Sequence, residues 1–124
     1  MMDEYRRGWA QRYLREAKAE LDAARKMPYV APSLLMEAIR KARNAIYYSL
    51  GEPTYIELLV REEIGKPKPQ NDVILRFLVE VEEIIQQLGQ VEEVNGEVMM
   101  KQADTLVQVA SDFVETLTEG KNIY

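Results

Sequence analysis

The chain has 124 residues, a formal net charge of −5, and neither cysteine nor histidine. Disulfide frameworks, Cys nucleophiles and zinc ribbons are therefore excluded, as are His-based acid/base chemistry and His-ligated metals. Hydrophobic residues at 47% and charged residues at 30% give the balance of one globular domain spanning residues 1–124. The charge is unevenly placed. Residues 1–68 hold 13 basic and 10 acidic side chains, whereas residues 69–124 hold 3 and 11. Such halves can attract each other within a chain or between chains, or can simply be solvated.

The start of the chain is polar, which points away from a signal peptide and makes the cytoplasm the expected compartment. Tyr5, Trp9, Tyr13, Ala17, Leu21 and Ala24 recur at spacings of four and three, with Ala10 and Leu14 widening the stripe. This predicts an amphipathic helix over 3–27, with acids at its start and Arg25 and Lys26 at its end, as the helix dipole favours. Gly8 is an internal weak point, costing about 1 kcal/mol relative to Ala.

Pro28 and Pro32 bracket a short connection, and Ser33 is the expected cap of a second helix over 34–50, which Gly51 ends. Its apolar face is small: Leu35, Ala38, Ala42, Ala45 and Ser49, with Ile39 and Ile46 beside it. Thr54 with Glu57 fits a capping box for a short third helix over 55–64. A stiff Gly65-to-Gln70 loop follows, and Asn71 is the expected cap of a fourth helix over 72–88. Its stripe is Ile74, Phe77, Leu78, Val81, Ile85 and Leu88, near heptad spacing, and the charges that interrupt it prevent a membrane span. Val91 and Val94 are expected anchors of the next loop. A fifth helix is expected over 97–118, with Met99, Ala103, Leu106, Ala110, Phe113 and Leu117 on its apolar face and Gly120 as its stop.

No segment alternates as a strand does. The expected fold is all-α: an up-down four-helix bundle with one extra short helix. The wide apolar faces of the fourth and fifth helices leave room for a homodimer interface, unless the protomer core consumes them.

Chemistry is sparse. Glu80 with Glu83 and Asp112 with Glu115 have the spacing of paired metal ligands, but helical phase turns both pairs away from the apolar stripes, so no metal site is expected. Phase identifies no buried carboxylate, and Ser33, Ser49 and Ser111 have no His to activate them. One cluster stands out. Arg40, Arg43, Asn44 and Tyr47 lie at i, i+3, i+4 and i+7, with Lys41 and Tyr48 flanking. Guanidinium forks beside aromatic rings can hold phosphates and stack bases. The same face also reads as helix surface whose Arg stems and Tyr rings cover apolar neighbours.

Two stretches carry a family resemblance. Tyr13-Leu14-Arg15-Glu16-Ala17-Lys18-Ala19-Glu20-Leu21-Asp22-Ala23-Ala24 resembles the first-helix pattern of the HEPN superfamily. Ala38-Ile39-Arg40-Lys41-Ala42-Arg43-Asn44-Ala45-Ile46-Tyr47-Tyr48 resembles its Ala-rich second helix, ending at a Gly such as Gly51. The resemblance covers about residues 5–51. It implies a helical bundle, commonly a homodimer, often paired with a nucleotidyltransferase-type protein. Active members cleave RNA with an Arg followed four to six residues later by a His, some with a Tyr two residues beyond. In one register Arg40, Ala45 and Tyr47 fill these positions; in another Arg43 fills the first and Tyr48 the second. Both registers lack the His, and neither Ala nor a Tyr with a pKa of about 10 carries protons near neutral pH. The expected function is thus a non-catalytic dimeric binding or scaffold module engaging RNA, a nucleotide or a partner protein through the Arg40/Arg43/Tyr47 face, without a cofactor. The alternatives are a residual ribonuclease using Arg43 and Tyr48, or a purely structural partner subunit.

Overall fold

A computed structural model describes residues 3–27, 29, 31–90 and 96–118. The described residues form five helices: α1 (Glu4–Lys26), α2 (Ala31–Leu50), α3 (Pro53–Glu63), α4 (Val73–Gln90) and α5 (Gly96–Thr118). None of them is long and apolar enough to cross a membrane. The expectations for Pro28, Val91, Val94 and Gly120 fall outside the described residues.

Local signals explain the boundaries and where the expected caps differ. Asp3 caps α1, its carboxylate accepting from the Arg6 backbone N–H at 2.8 Å. Ser33 is not a cap, because α2 already begins at Ala31. Pro32 is tolerated there since first-turn N–H groups have no intrahelical acceptor. Glu52 replaces Thr54 as the cap of α3, accepting from the Thr54 N–H at 3.2 Å. Glu57 instead pairs with Arg61 one turn later, at 2.9 Å. Asp72, not Asn71, caps α4, accepting from the Leu75 N–H at 2.9 Å. Gly65 ends the α3 turn with φ +86°, a left-handed conformation that glycine adopts without strain.

The core runs along the small faces of three helices. Ala10, Ala17 and Ala24 of α1, Ala38, Ala42 and Ala45 of α2, and Ala103 and Ala110 of α5 are all buried. Side chains this short let backbones approach closely, and α1, α2 and α5 all pack on one another. The buried ridge of α1 is Ala10, Leu14, Ala17, Leu21 and Ala24. The aromatic positions of its expected stripe therefore lie to one side. Tyr5 is exposed, and Trp9 and Tyr13 are half-buried.

α4 is built differently. Its buried side chains are the larger Leu78, Val79, Val81 and Ile85, and it packs on α2 and α3. Among the described residues, no Cα of α4 lies within 8 Å of a Cα of α5. Phe77 and Phe113 stack across the space between them, with ring centres 6.4 Å apart.

Candidate functional site

The second-helix cluster does not present one face to solvent. Arg43, Tyr47, Lys41 and Tyr48 are drawn away from one another by partners on α1 and α4, while Arg40 stays with a neighbour on its own helix. Arg43 and Tyr47 turn inward to Glu82 of α4. The Tyr47 hydroxyl donates to Glu82 Oε1 at 2.7 Å, and Arg43 Nη1 donates to the same oxygen at 3.2 Å. The Arg43 guanidinium also sits 5.8 Å from the Tyr47 ring centre and donates through Nε to Asn44 Oδ1 at 3.3 Å. Glu82 is 2% exposed. A carboxylate so buried needs both a counter-charge and hydrogen bonds, and this pair of donors supplies them. Burial first, and the bond to Glu82 second, push the Tyr47 hydroxyl well above its ordinary pKa.

Lys41 turns toward α1, where its Nζ meets Glu20 Oε1 at 2.5 Å. That hydrogen bond raises the lysine pKa, outweighing the opposing effect of desolvation. Tyr48 leans on the aromatic side chains of α1. It stacks on Tyr13 and Trp9 with ring centres 5.7 and 6.2 Å away. Partial burial raises its pKa. Its backbone carbonyl, at the end of α2, accepts from Arg6 Nη1 at 3.4 Å. Arg40 alone stays in solvent, paired with Glu37 at 3.2 Å. Ala45, the His position in one register of the family pattern, is fully buried.

Glu82 is the residue that helical phase should have flagged. It lies four residues after Leu78 and three before Ile85, inside the buried stripe. Glu80 and Glu83, spaced i, i+3 like paired metal ligands, do not form an isolated carboxylate pair. Both are instead held near Lys68, at 3.8 and 3.2 Å.

Between α4 and α5 lies an apolar groove. One hollow of about 240 Å³ is lined by Ile39, Phe77, Val81, Ile84, Gln102 and Leu106, with Lys101 and Thr105 at its edge. A second, of about 300 Å³, lies between Ile74 and Phe113, with Asp112 and Thr116 on its wall. The Phe77–Phe113 stack stands between the two. Gln102 Oε1 is buried here without a hydrogen-bond partner. An acceptor left so costs about 1–3 kcal/mol unless a donor arrives from elsewhere.

No protein family model, no curated protein and no solved structure matches this chain.

Proposed function

We propose that the chain is a non-catalytic, HEPN-like helical module that works as a dimeric binding or scaffold unit in the cytoplasm, with the α4–α5 face as its two-fold interface. The observation that carries this reading is the groove itself. Phe77, Ile84 and Phe113 are half-buried, and Ile74 and Val98 are exposed, along two helices whose backbones do not meet. An apolar face left open in this way is where a second helical surface is expected to pack.

Charge favours a copy of the same face. Lys101 and Asp112 line the two hollows, three helical turns apart on α5. An antiparallel copy brings each opposite the other's counterpart, so the contact is self-complementary. The orphaned oxygen of Gln102 would then have access to a donor. In the finer architecture of this reading, α1, α2, α4 and α5 form an up-down four-helix bundle and α3 is the extra helix.

Catalysis is disfavoured by how α2 spends its polar groups. Arg43 is committed to Glu82, Tyr48 to an aromatic stack, and Ala45 to the core. The Arg40/Arg43/Tyr47 face is then scaffold for the interface, not a phosphate site.

Light scattering across a concentration series tests the proposal. The wild type should approach twice the protomer mass. Thr105→Arg places a cation at the exposed rim of the groove and should return the mass to that of a monomer with unchanged helicity. A wild type that stays monomeric at high concentration, or a variant that dimerises as well as the wild type, refutes it.

A further inference from the structure

Gly8 occupies an outward position in the interior of the 23-residue α1. Glycine in a helix interior is destabilising relative to alanine. Neither of its usual justifications applies here. Its φ is not positive, and a Cβ built on it meets nothing within 4 Å. What the missing side chain creates is a shallow open hollow over bare helix backbone. Glu4, Tyr5, Trp9, Arg12 and Arg15 surround it.

The rim has the residue types that dominate protein–protein hot spots, namely Trp, Tyr and Arg. Tyr5 is 69% exposed. Trp9 is held firmly from behind by Tyr13 and Tyr48, with ring centres at 5.8 and 6.2 Å, and the Arg12 guanidinium lies 5.0 Å from its ring centre. Arg12 reaches Glu16 only at 3.8 Å, in an exposed pair that gives up little when broken. Among the described residues, Arg7 and Arg15 carry no ion pair. α1 as a whole holds seven basic and four acidic side chains in a chain whose net charge is −5.

We infer that this surface is a docking site for an acidic helix of a different protein, with one side chain of that helix seated over Gly8 and its carboxylates on Arg12 and Arg15. Charge complementarity selects an acidic partner. A second copy of this chain seating its acidic half on α1 is the competing occupant, and self-association lost in Arg12→Ala with Arg15→Ala would reveal it. A shallow hollow suits a protruding side chain better than a small molecule, whose sites enclose most of the ligand surface. The site shares no residue with the α4–α5 groove, so it stands or falls independently of dimerisation.

Trp9 is the only tryptophan in the chain, so its emission reports on the site directly. The probe is a synthetic amphipathic helical peptide, Glu-rich with one leucine stripe. Titration should give a saturable change in Trp9 emission that weakens with salt. Arg12→Ala with Arg15→Ala should weaken binding by about tenfold or more, the loss typical of truncating hot-spot side chains. Gly8→Ala should raise Tm by about 4 °C while weakening binding, because filling the hollow relieves the helix and blocks the seat. Gly8→Leu should abolish binding with helicity intact. The inference is overturned by a flat Trp9 signal, by Gly8→Leu binding as well as the wild type, or by a single-stranded oligonucleotide of equal charge binding more tightly than the peptide.

Discussion

Tyr47 and Glu82 meet at 2.7 Å inside the protein, the phenol of α2 donating to the carboxylate of α4. α4 has no close backbone neighbour in α5, so this bond and the Arg43 bond to the same oxygen are its polar tether to the body of the fold. The tether fixes where α4 stands and hence how wide the groove is. A buried ion pair contributes little net stability over an apolar replacement, but losing one partner leaves the other uncompensated.

Glu82→Ala should therefore be severe. It strands the Arg43 guanidinium and orphans the Tyr47 hydroxyl, and breaking a buried pair in this way costs about 3–5 kcal/mol. Glu82→Gln keeps an acceptor for Tyr47 while removing the charge, so its cost should be smaller. Tyr47→Phe removes only the neutral donor and should cost about 1.5–3 kcal/mol, the worth of a hydrogen bond to a charged group. Urea unfolding of the three variants, of Arg43→Ala and of the Arg43→Ala/Glu82→Ala double mutant checks the ordering. The double mutant should lose less than the two single changes added together. Strict additivity would mean that the pair does not act as a unit.

Stability should fall on the alkaline side. The folded protein holds the Tyr47 proton, by burial first and by Glu82 second, beyond the point near pH 10 where the unfolded chain releases it. Lys41, stabilised as a cation by its bond to Glu20, behaves likewise from its ordinary value of 10.5 upward. Both folded-state pKa values are raised, so both contributions are complete below about pH 10. Both are lost as pH climbs toward the folded-state values. Tm measured from pH 8 to 11.5 should be level and then drop. Tyr47→Phe and Lys41→Met should each flatten part of that drop. A wild type whose Tm stays level to pH 11.5 contradicts this account.

The helices and most of the core were legible in the sequence because period-3.6 burial depends only on local phase. The alanine seam of α2 appears where its spacing places it, and on α5 Met99, Ala103, Leu106 and Ala110 are buried as spaced, while Phe113 and Leu117 are half-buried and Val107 and Val114 fill the core. The caps were less legible. Thr54 and Asn71 are good cap residues, yet Glu52 and Asp72 sit close by and reach the free N–H groups first, while α2 starts at Ala31, ahead of Ser33. The cluster on α2 was legible as a set of residues but not as a set of directions. Nothing local states that Lys41 faces Glu20 or that Arg43 and Tyr47 face Glu82, since those partners are 21, 39 and 35 residues away. Glu82 itself was readable from its phase between Leu78 and Ile85. The expectation of no buried carboxylate fails there, because the buried face of α4 is wide enough to take in Val79 and Glu82 beside the Leu78–Val81–Ile85 stripe.

The alanine seam should tolerate no added bulk. Ala17, Ala42 and Ala45 are fully buried where α1 and α2 approach closely. Ala17→Leu or Ala45→Leu forces the helices apart or the new side chain off its rotamer, for a loss of about 1–3 kcal/mol or more. Ala19→Leu, on the exposed side of the same helix, should change stability by less than about 0.5 kcal/mol. Thermal melts of the three variants separate the seam from the surface. If Ala45→Leu melted with the wild type, the close approach of α1 and α2 would be wrong.

Gln102 offers the sharpest link between the groove and assembly. Its Oε1 is buried and unpartnered beside Phe77 and Val81 in the protomer. Gln102→Met keeps the length of the side chain and removes the unsatisfied acceptor. The isolated protomer should gain about 1–2 kcal/mol, because the desolvation penalty of that acceptor disappears. If a second copy supplies the missing donor, the same substitution removes a bond across the interface, and the dimer should dissociate more readily. The two effects have opposite signs and separate by concentration. At dilutions where the protein is monomeric, Gln102→Met should melt above the wild type. At high concentration mass action favours whichever protein assembles better, and the wild type should recover the difference. A variant that melts higher by the same margin at every concentration would place the orphaned oxygen outside any interface and leave the groove a property of the protomer alone.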